Sequence, residues 1–301
     1  MKTLIANGDS WTYGSELYDP KVLASLDRTS SDYGKHVIEL DFNPINHPYR
    51  IAHSYPYLLG QQLGYTTVNL AMTADNNNFI AERTIDYILK NDLSGPNVFV
   101  VVGWSAPERN DFYMDTGSDV VRHRIFNMNH YDMFNDSNWK SHLGFKEYLL
   151  LHFEHLIVSD EYWTRYAKNV SLLEMFLKTR EIPYLMFNAF YPSEPTKIGQ
   201  PWHTLHDTHV YNNMLPIKTL GYNFSVDFTT DCAGLEIGKE LWKTVDPIRW
   251  YNKDQRKNSF RSFVADRVTN AFVNDVGHPT EESHRIWALE LARYINEHNL
   301  L

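Results

Sequence analysis

A single cysteine, Cys232, stands among the 301 residues, which excludes an internal disulfide framework and leaves the fold to be held by its core. No run of the sequence approaches the ~20 apolar residues that a membrane-spanning helix requires. Hydrophobic residues nonetheless make up 43 % of the chain, enough for a large buried core. Clusters of Lys and Arg are also missing. The 28 basic and 37 acidic side chains leave a formal net charge of −9, and phosphate backbones need concentrated positive charge, so nucleic acid is excluded as a general partner. The opening Met1-Lys2-Thr3-Leu4-Ile5-Ala6 is too short an apolar stretch for an export signal before Asn7-Gly8-Asp9 interrupts it. A cytoplasmic location is therefore expected, and association with a phage or virion would leave the same imprint. Low-complexity segments and internal repeats are absent.

What is abundant is aromatic: 14 % of residues, with 19 Tyr and 8 Trp. Such rings suit cores as well as sugar- or protein-binding surfaces, and the core reading is the favoured one. Strands and helices alternate along the chain. Residues 3–7 read as a buried strand ending at Gly8, and Tyr55, Leu59 and Leu63 share a helical face before Gly64. Residues 66–70 form a second strand, and Ala81, Ile85 and Ile88 mark a second helix. Val98-Phe99-Val100-Val101-Val102 has the apolar, β-branched character of a central parallel strand. A helix over about 160–181 shows Tyr166, Val170, Leu173 and Leu177 on one face, and residues 182–187 follow as a fourth strand. The last 20 residues read as a helix with Thr280 as its N-cap. Such alternation predicts an α/β protein: a three-layer α/β/α, flavodoxin-like sandwich on a central parallel sheet. Residues 106–145 and 190–270 lack periodicity and are expected to be long loop insertions in one domain spanning 1–301.

Open parallel sheets bind ligands beyond the carboxyl ends of their strands, and polar clusters fall there. They are Gly8-Asp9-Ser10-Trp11-Thr12-Tyr13-Gly14, then Asn69 to Asn77, then Gly103-Trp104-Ser105-Ala106-Pro107-Glu108-Arg109. A further cluster, Asp275-Val276-Gly277-His278-Pro279, precedes the last helix. A serine, backbone amides and a carboxylate close to a histidine are the parts an acyl-transfer site needs. In these blocks the chain resembles the SGNH/GDSL hydrolase superfamily of serine esterases and lipases. The resemblance implies Ser10 as nucleophile, His278 as base and Asp275 as its partner, with either the Asp275 side chain or a nearby backbone carbonyl orienting the ring. It places the amide of Ala74 where the family offers a glycine amide to the oxyanion. The family's third block is Gly-x-Asn, whereas this sequence has Gly103-Trp104-Ser105, so Ser105 stands where an amide donor is expected. A hydroxyl is shorter and must rotate to donate. No Gly-x-Ser-x-Gly elbow is present, which argues against an ordinary α/β-hydrolase.

Around these blocks, Asp9 and Trp104 are candidate binding residues, Trp11 and Trp104 are suited either to wall a pocket or to pack beneath the loops, and Arg109 could meet a substrate carboxylate. Asn76, Asn77 and Asn78 read as helix-capping and loop residues. His203, His206, Asp207 and His209 form a weak candidate metal cluster that matches no standard zinc spacing. His152 and His155 around Glu154 also miss the metalloprotease spacing and read as helix surface. The expected activity is hydrolysis of carboxylic esters, including O-acyl groups on carbohydrate, with no cofactor. The alternatives are a weak or inactive binding or structural protein on the same fold, and an O-acyltransferase.

Overall fold

Aliphatic and β-branched runs at the four expected positions do form strands. In the computed structural model, which describes residues 2–25, 39–73, 75–107, 109–115, 120–125, 159–190, 233–253, 259–273 and 277–301, they build one parallel sheet. The chain divides into two compact units, 1–106 with 172–193 and 246–301, and 107–171 with 194–245. Residues 246–270 of the stretch expected as an insertion thus belong to the first unit.

In the first unit the order of elements is β1 (Thr3–Gly8), α1 (Ser10–Tyr13), α2 (Pro20–Ala24), α3 (His47–His53), α4 (Tyr55–Leu63), β2 (Thr66–Asn69), α5 (Asn77–Lys90) and β3 (Val98–Trp104). In the second unit, β4 (Asn110–Asp115) and β5 (Val120–Ile125) pair as an antiparallel hairpin, Asn110 opposite Ile125. Helix α6 (Ser159–Thr179) then leads into β6 (Tyr184–Asn188), and α7 (Ala233–Thr244), α8 (Phe260–Ala265) and α9 (Glu281–Glu297) complete the chain. Within the second unit the Tyr166 and Trp242 rings lie 6.0 Å apart and Ser171 Oγ donates to the Leu241 carbonyl.

The sheet order is β2-β1-β3-β6, all parallel. Alternation along the strands sends Leu4, Ala6, Phe99, Val101, Leu185 and Phe187 to one face, where they join a core built with α4, α8 and α9. Trp287 is its hub, stacked on Phe260 at 5.0 Å and edge-on to Phe187 and Tyr251. The other face meets α5 and the end of α6. Asn7 Nδ2 donates to the Ile80 carbonyl and Thr84 Oγ1, and Tyr184 donates to Glu174 Oε1 at 2.6 Å. Helices on both faces make the three-layer α/β/α arrangement expected. Trp104, Trp250, Trp287, Tyr55, Tyr251 and Phe99 are among the largest fully buried side chains, so aromatic residues here serve the core. No helix of the described residues is long and apolar enough to cross a membrane.

Two local details depart from expectation. Thr280 occupies the N-cap position of α9, but its side chain makes no capping hydrogen bond; Oγ1 faces the Asn270 carbonyl and Ser283 Oγ instead. Helix α8 lies within a stretch that showed no periodicity, because six residues are too few to display a 3.6-residue repeat. It is anchored by Phe260, Phe263 and Val264 and by a capping box between Ser259 and Ser262.

Chain order reverses between β1 and β3, the place where open α/β sheets bind ligands. The pairing of the two strands ends there with Gly8 opposite Gly103. A Cβ on Gly8 would stand 2.1 Å from Thr12 Oγ1 and 2.7 Å from the Gly103 carbonyl oxygen, and a Cβ on Gly103 would stand 2.7 Å from the same hydroxyl. The two glycines let α1 fold back over the strand ends. Gly8→Ala is therefore expected to destabilise the protein by about 2 to 3 kcal/mol, read as a lower urea midpoint, because backbone must shift to relieve the overlap. An unchanged midpoint would contradict the close approach.

Candidate functional site

The loop after β1 is ordered by Asp9. As N-cap of α1 its Oδ1 accepts from the Trp11 amide at 3.0 Å, while Oδ2 accepts from Ser105 Oγ at 2.7 Å. Both partners sit at carboxyl ends of adjacent strands, and Asp9 is fully buried. Ser105 is thereby placed beside the first loop, but its one hydroxyl hydrogen is given to Asp9. In this arrangement it is not the third oxyanion donor that the sequence suggested. Asn77 holds the main chain of the same block: Oδ1 accepts from Ser105 N at 2.8 Å and Nδ2 donates to the carbonyls of Ser105 and Ala106.

Ser10 is the first residue of α1 and is 6 % exposed. Its carbonyl accepts from the amides of Gly14 and Ser15, with Gly14 in the left-handed conformation at φ 84°. Trp11 packs beneath the loop against Phe190, Phe260 and Phe272, and Trp104 is wholly buried, so both serve packing. In the second block Asn69 Nδ2 donates to the Thr12 carbonyl, Arg83 pairs with buried Asp75 and donates to the Leu70 carbonyl, and Asn76 caps α5 through the Phe79 amide. The capping role expected of Asn76 is observed. Ala74 and Asp275 lie outside the described residues, as do Glu108, Asn274, Val276, His152, Glu154, His155 and the cluster of His203, His206, Asp207 and His209. Arg109 belongs to the second unit. Among the described residues no group of three or more His, Cys, Asp or Glu could hold a metal ion.

His278 sits in a turn pinned by its own carbonyl, which accepts from Val273 N, and by the bridge between Phe272 and Pro279. Its partner is Glu16, a residue with no motif to announce it. Glu16 Oε2 accepts the His278 backbone N–H at 3.1 Å and lies 3.2 Å from Nδ1 of the ring. This second contact has ion-pair distance but falls off the line of a ring N–H, and Nδ1 is buried without a hydrogen bond. The contact with His278 is the main cause holding the Glu16 carboxyl below the usual carboxylate range. Glu16 itself has φ 64°, unusual for a residue with a Cβ. Its amide is held by Asp41 Oδ1 at 2.9 Å. Burial raises the Asp41 carboxyl, and the Asp41 carbonyl accepts from Tyr13 and Arg50, whose guanidinium lies 3.8 Å from the Tyr13 ring centre.

His284 is a second histidine missed in the sequence, on the buried face of α9. Its Nδ1 accepts from the Tyr55 amide at 3.2 Å, so the neutral ring carries its hydrogen on Nε2, which is buried without a hydrogen-bond partner. Burial, then the charge of His278, pushes it down to about 3.

Sequence comparison places this chain in a family: it belongs to DUF6071, a family of unknown function, whose profile matches residues 37–202, more than half its length. No curated protein matches the sequence. Among solved structures, a putative lipolytic protein of the G-D-S-L family from Desulfitobacterium hafniense DCB-2 is 12 % identical, with TM-score 0.40 over 98 % of this chain and 99 % of that one. A G-D-S-L family lipolytic protein from Veillonella parvula DSM 2008 is 11 % identical, with TM-score 0.38 over 98 % and 96 %. A carbohydrate esterase family 2 enzyme from Corynascus thermopiles (Myceliophthora fergusii) is 12 % identical, with TM-score 0.42 over 99 % of this chain and 66 % of that one. At such scores none of them decides the chemistry of this chain, which rests on its own side chains.

The low value of His284 has a consequence for stability. A histidine depressed in the folded state binds its proton only after unfolding, so stability is present above its ordinary value of 6.5 and is lost as pH falls toward about 3. Between pH 7 and pH 5 the unfolding free energy of the wild type is expected to drop by roughly 2 kcal/mol more than that of His284→Gln, which keeps an acceptor for Tyr55 N. Equal drops in denaturant melts would show that His284 does not contribute.

Proposed function

We propose that this protein is a serine hydrolase of carboxylic esters, with small esters or O-acylated carbohydrate as its substrate class. Ser10 Oγ attacks the ester carbonyl while His278 Nε2 removes its proton, and the imidazolium then returns that proton to the leaving alcohol. Water, activated by the same nitrogen, releases the acyl group from Ser10. The tetrahedral oxyanion is received by the backbone amides of Ser10 and Ala74.

The observation that carries this reading is the hold of Glu16 on His278. The histidine near one end of the chain is held by a carboxylate six residues beyond Ser10, in the stretch that follows the strand at which the sheet reverses its order. A fixed imidazole with one ring nitrogen turned to an anion is what a general base beside a serine requires.

A second reading, a binding protein on the same fold with little or no turnover, is favoured by one observation: Ser105 gives its hydrogen to Asp9. Loss of one oxyanion donor commonly costs about 3 kcal/mol of barrier, a rate factor on the order of 100 to 1,000, which leaves a slow enzyme rather than none. Hydrolysis of p-nitrophenyl acetate and butyrate separates the two. The wild type is expected to turn over, and Ser10→Ala and His278→Ala, with folding checked by circular dichroism, are each expected to fall by roughly a thousandfold or more. A wild-type rate equal to that of the variants would leave the binding reading.

A further inference from the structure

We infer that Glu16, rather than a residue of the Asp275-x-x-His278 block alone, is the positioning carboxylate of the imidazole: it fixes the ring and keeps the proton of neutral His278 on Nδ1. The inference rests on the proposed role of His278 as base, but its geometry stands apart from any activity.

Three observations converge on it. First, one carboxylate oxygen serves both the backbone and the ring of His278, at 3.1 Å and 3.2 Å, so the position of the loop and the orientation of the ring are set by the same atom. Second, Nδ1 is a buried atom that makes no hydrogen bond in this geometry and has Glu16 Oε2 as its ion-pair neighbour, whereas the side chain as a whole is 27 % exposed. With Nδ1 enclosed, the exposure belongs to the rest of the side chain, which includes Nε2, the nitrogen a base needs free. A carboxylate can only accept, so the hydrogen of the neutral ring belongs on Nδ1 and the lone pair on Nε2. Third, the backbone of Glu16 is held in a conformation that a side chain rarely adopts, φ 64°, by the bond from its amide to Asp41 Oδ1. Backbone strain of this kind persists only where the surroundings over-determine it, and here it aims the carboxylate at His278.

Among the described residues, Asp41 and Glu16 are the carboxylates whose charge couples to His278, Arg50 lies beside Asp41, and buried His284 is uncharged. Of these, only Glu16 is in contact with the His278 ring through an ion pair. The long separation also explains its absence from any motif: the two partners are 262 positions apart.

The test reads the ring directly. In protein labelled with 15N at histidine, two-bond nitrogen–proton correlation spectra above pH 7.5 report which ring nitrogen is protonated, with the His278 signals assigned by their loss in His278→Gln. The wild type is expected to show the Nδ1–H form, and Glu16→Gln to lose that preference, whereas Asp275→Asn keeps it. An Nε2–H form in the wild type, or a tautomer unmoved by Glu16→Gln, would overturn the inference whether or not the protein is an esterase. Kinetics supply the second arm. With p-nitrophenyl acetate, Glu16→Gln is expected to lower kcat by ten- to a hundredfold with KM within twofold of wild type, and Glu16→Asp to recover part of the loss. A tautomer that responds to Glu16 in a protein without turnover would sink the hydrolase reading and leave the positioning role intact. Turnover lost in Ser10→Ala but unaffected by Glu16→Gln would do the reverse.

Discussion

Pairing of β1 with β3, from Thr3 opposite Val98 to Gly8 opposite Gly103, is the constraint from which the arrangement of the site follows. It puts two strands that are far apart in sequence side by side at the point where sheet order reverses. The pairing also ends with a glycine on each strand, so that Thr12 can rest where a Cβ would otherwise stand. With α1 drawn down in this way, Asp9 reaches Ser105 across the strand ends, and Ser10 opens the helix just above them. The turn that follows presents Glu16 to the loop of His278. Each step is short-range once the pair of strands is formed.

Asp9, Asn69, Asn77 and Asp41 each hold main-chain groups of neighbouring loops, which exchanges desolvation for fixed geometry rather than for large net stability. The carboxylates have different duties. Asp9 caps α1 and receives Ser105, Asp41 fixes the strained backbone of Glu16, and Glu16 holds the histidine. Such division aligns the serine loop through side-chain hydrogen bonds, in a chain whose single cysteine can form no internal disulfide.

The sheet was legible in the sequence because buried parallel strands are written as continuous apolar runs, and Val98 to Val102 could hardly be anything else. The helix with Tyr166, Val170, Leu173 and Leu177 on one face was legible for the same reason in its own period, and all four are buried. Ser10 and His278 stood out because their neighbours fall into recognisable blocks at strand ends. Glu16, Asp41 and His284 did not, since they act through contacts between distant segments and belong to no periodic pattern. Helices α1 and α8 escaped notice because they are too short to show a repeat; Thr280 was recognised by type as an N-cap, but its hydrogen bonds are decided by the competing partners Asn270 and Ser283. Ser105 was noticed as a departure, but only the position of Asp9 shows where its hydrogen goes.

The central claim is that Ser10 is an activated nucleophile, and covalent labelling tests it without knowledge of the natural substrate. A fluorophosphonate reacts with a serine whose proton is removed by a neighbouring base, and the adduct can be located by tandem mass spectrometry of the digested protein. The account predicts a single phosphonylated residue, Ser10, with labelling lost when His278 is replaced by Ala. An unlabelled protein, or an adduct on a serine other than Ser10, would contradict it.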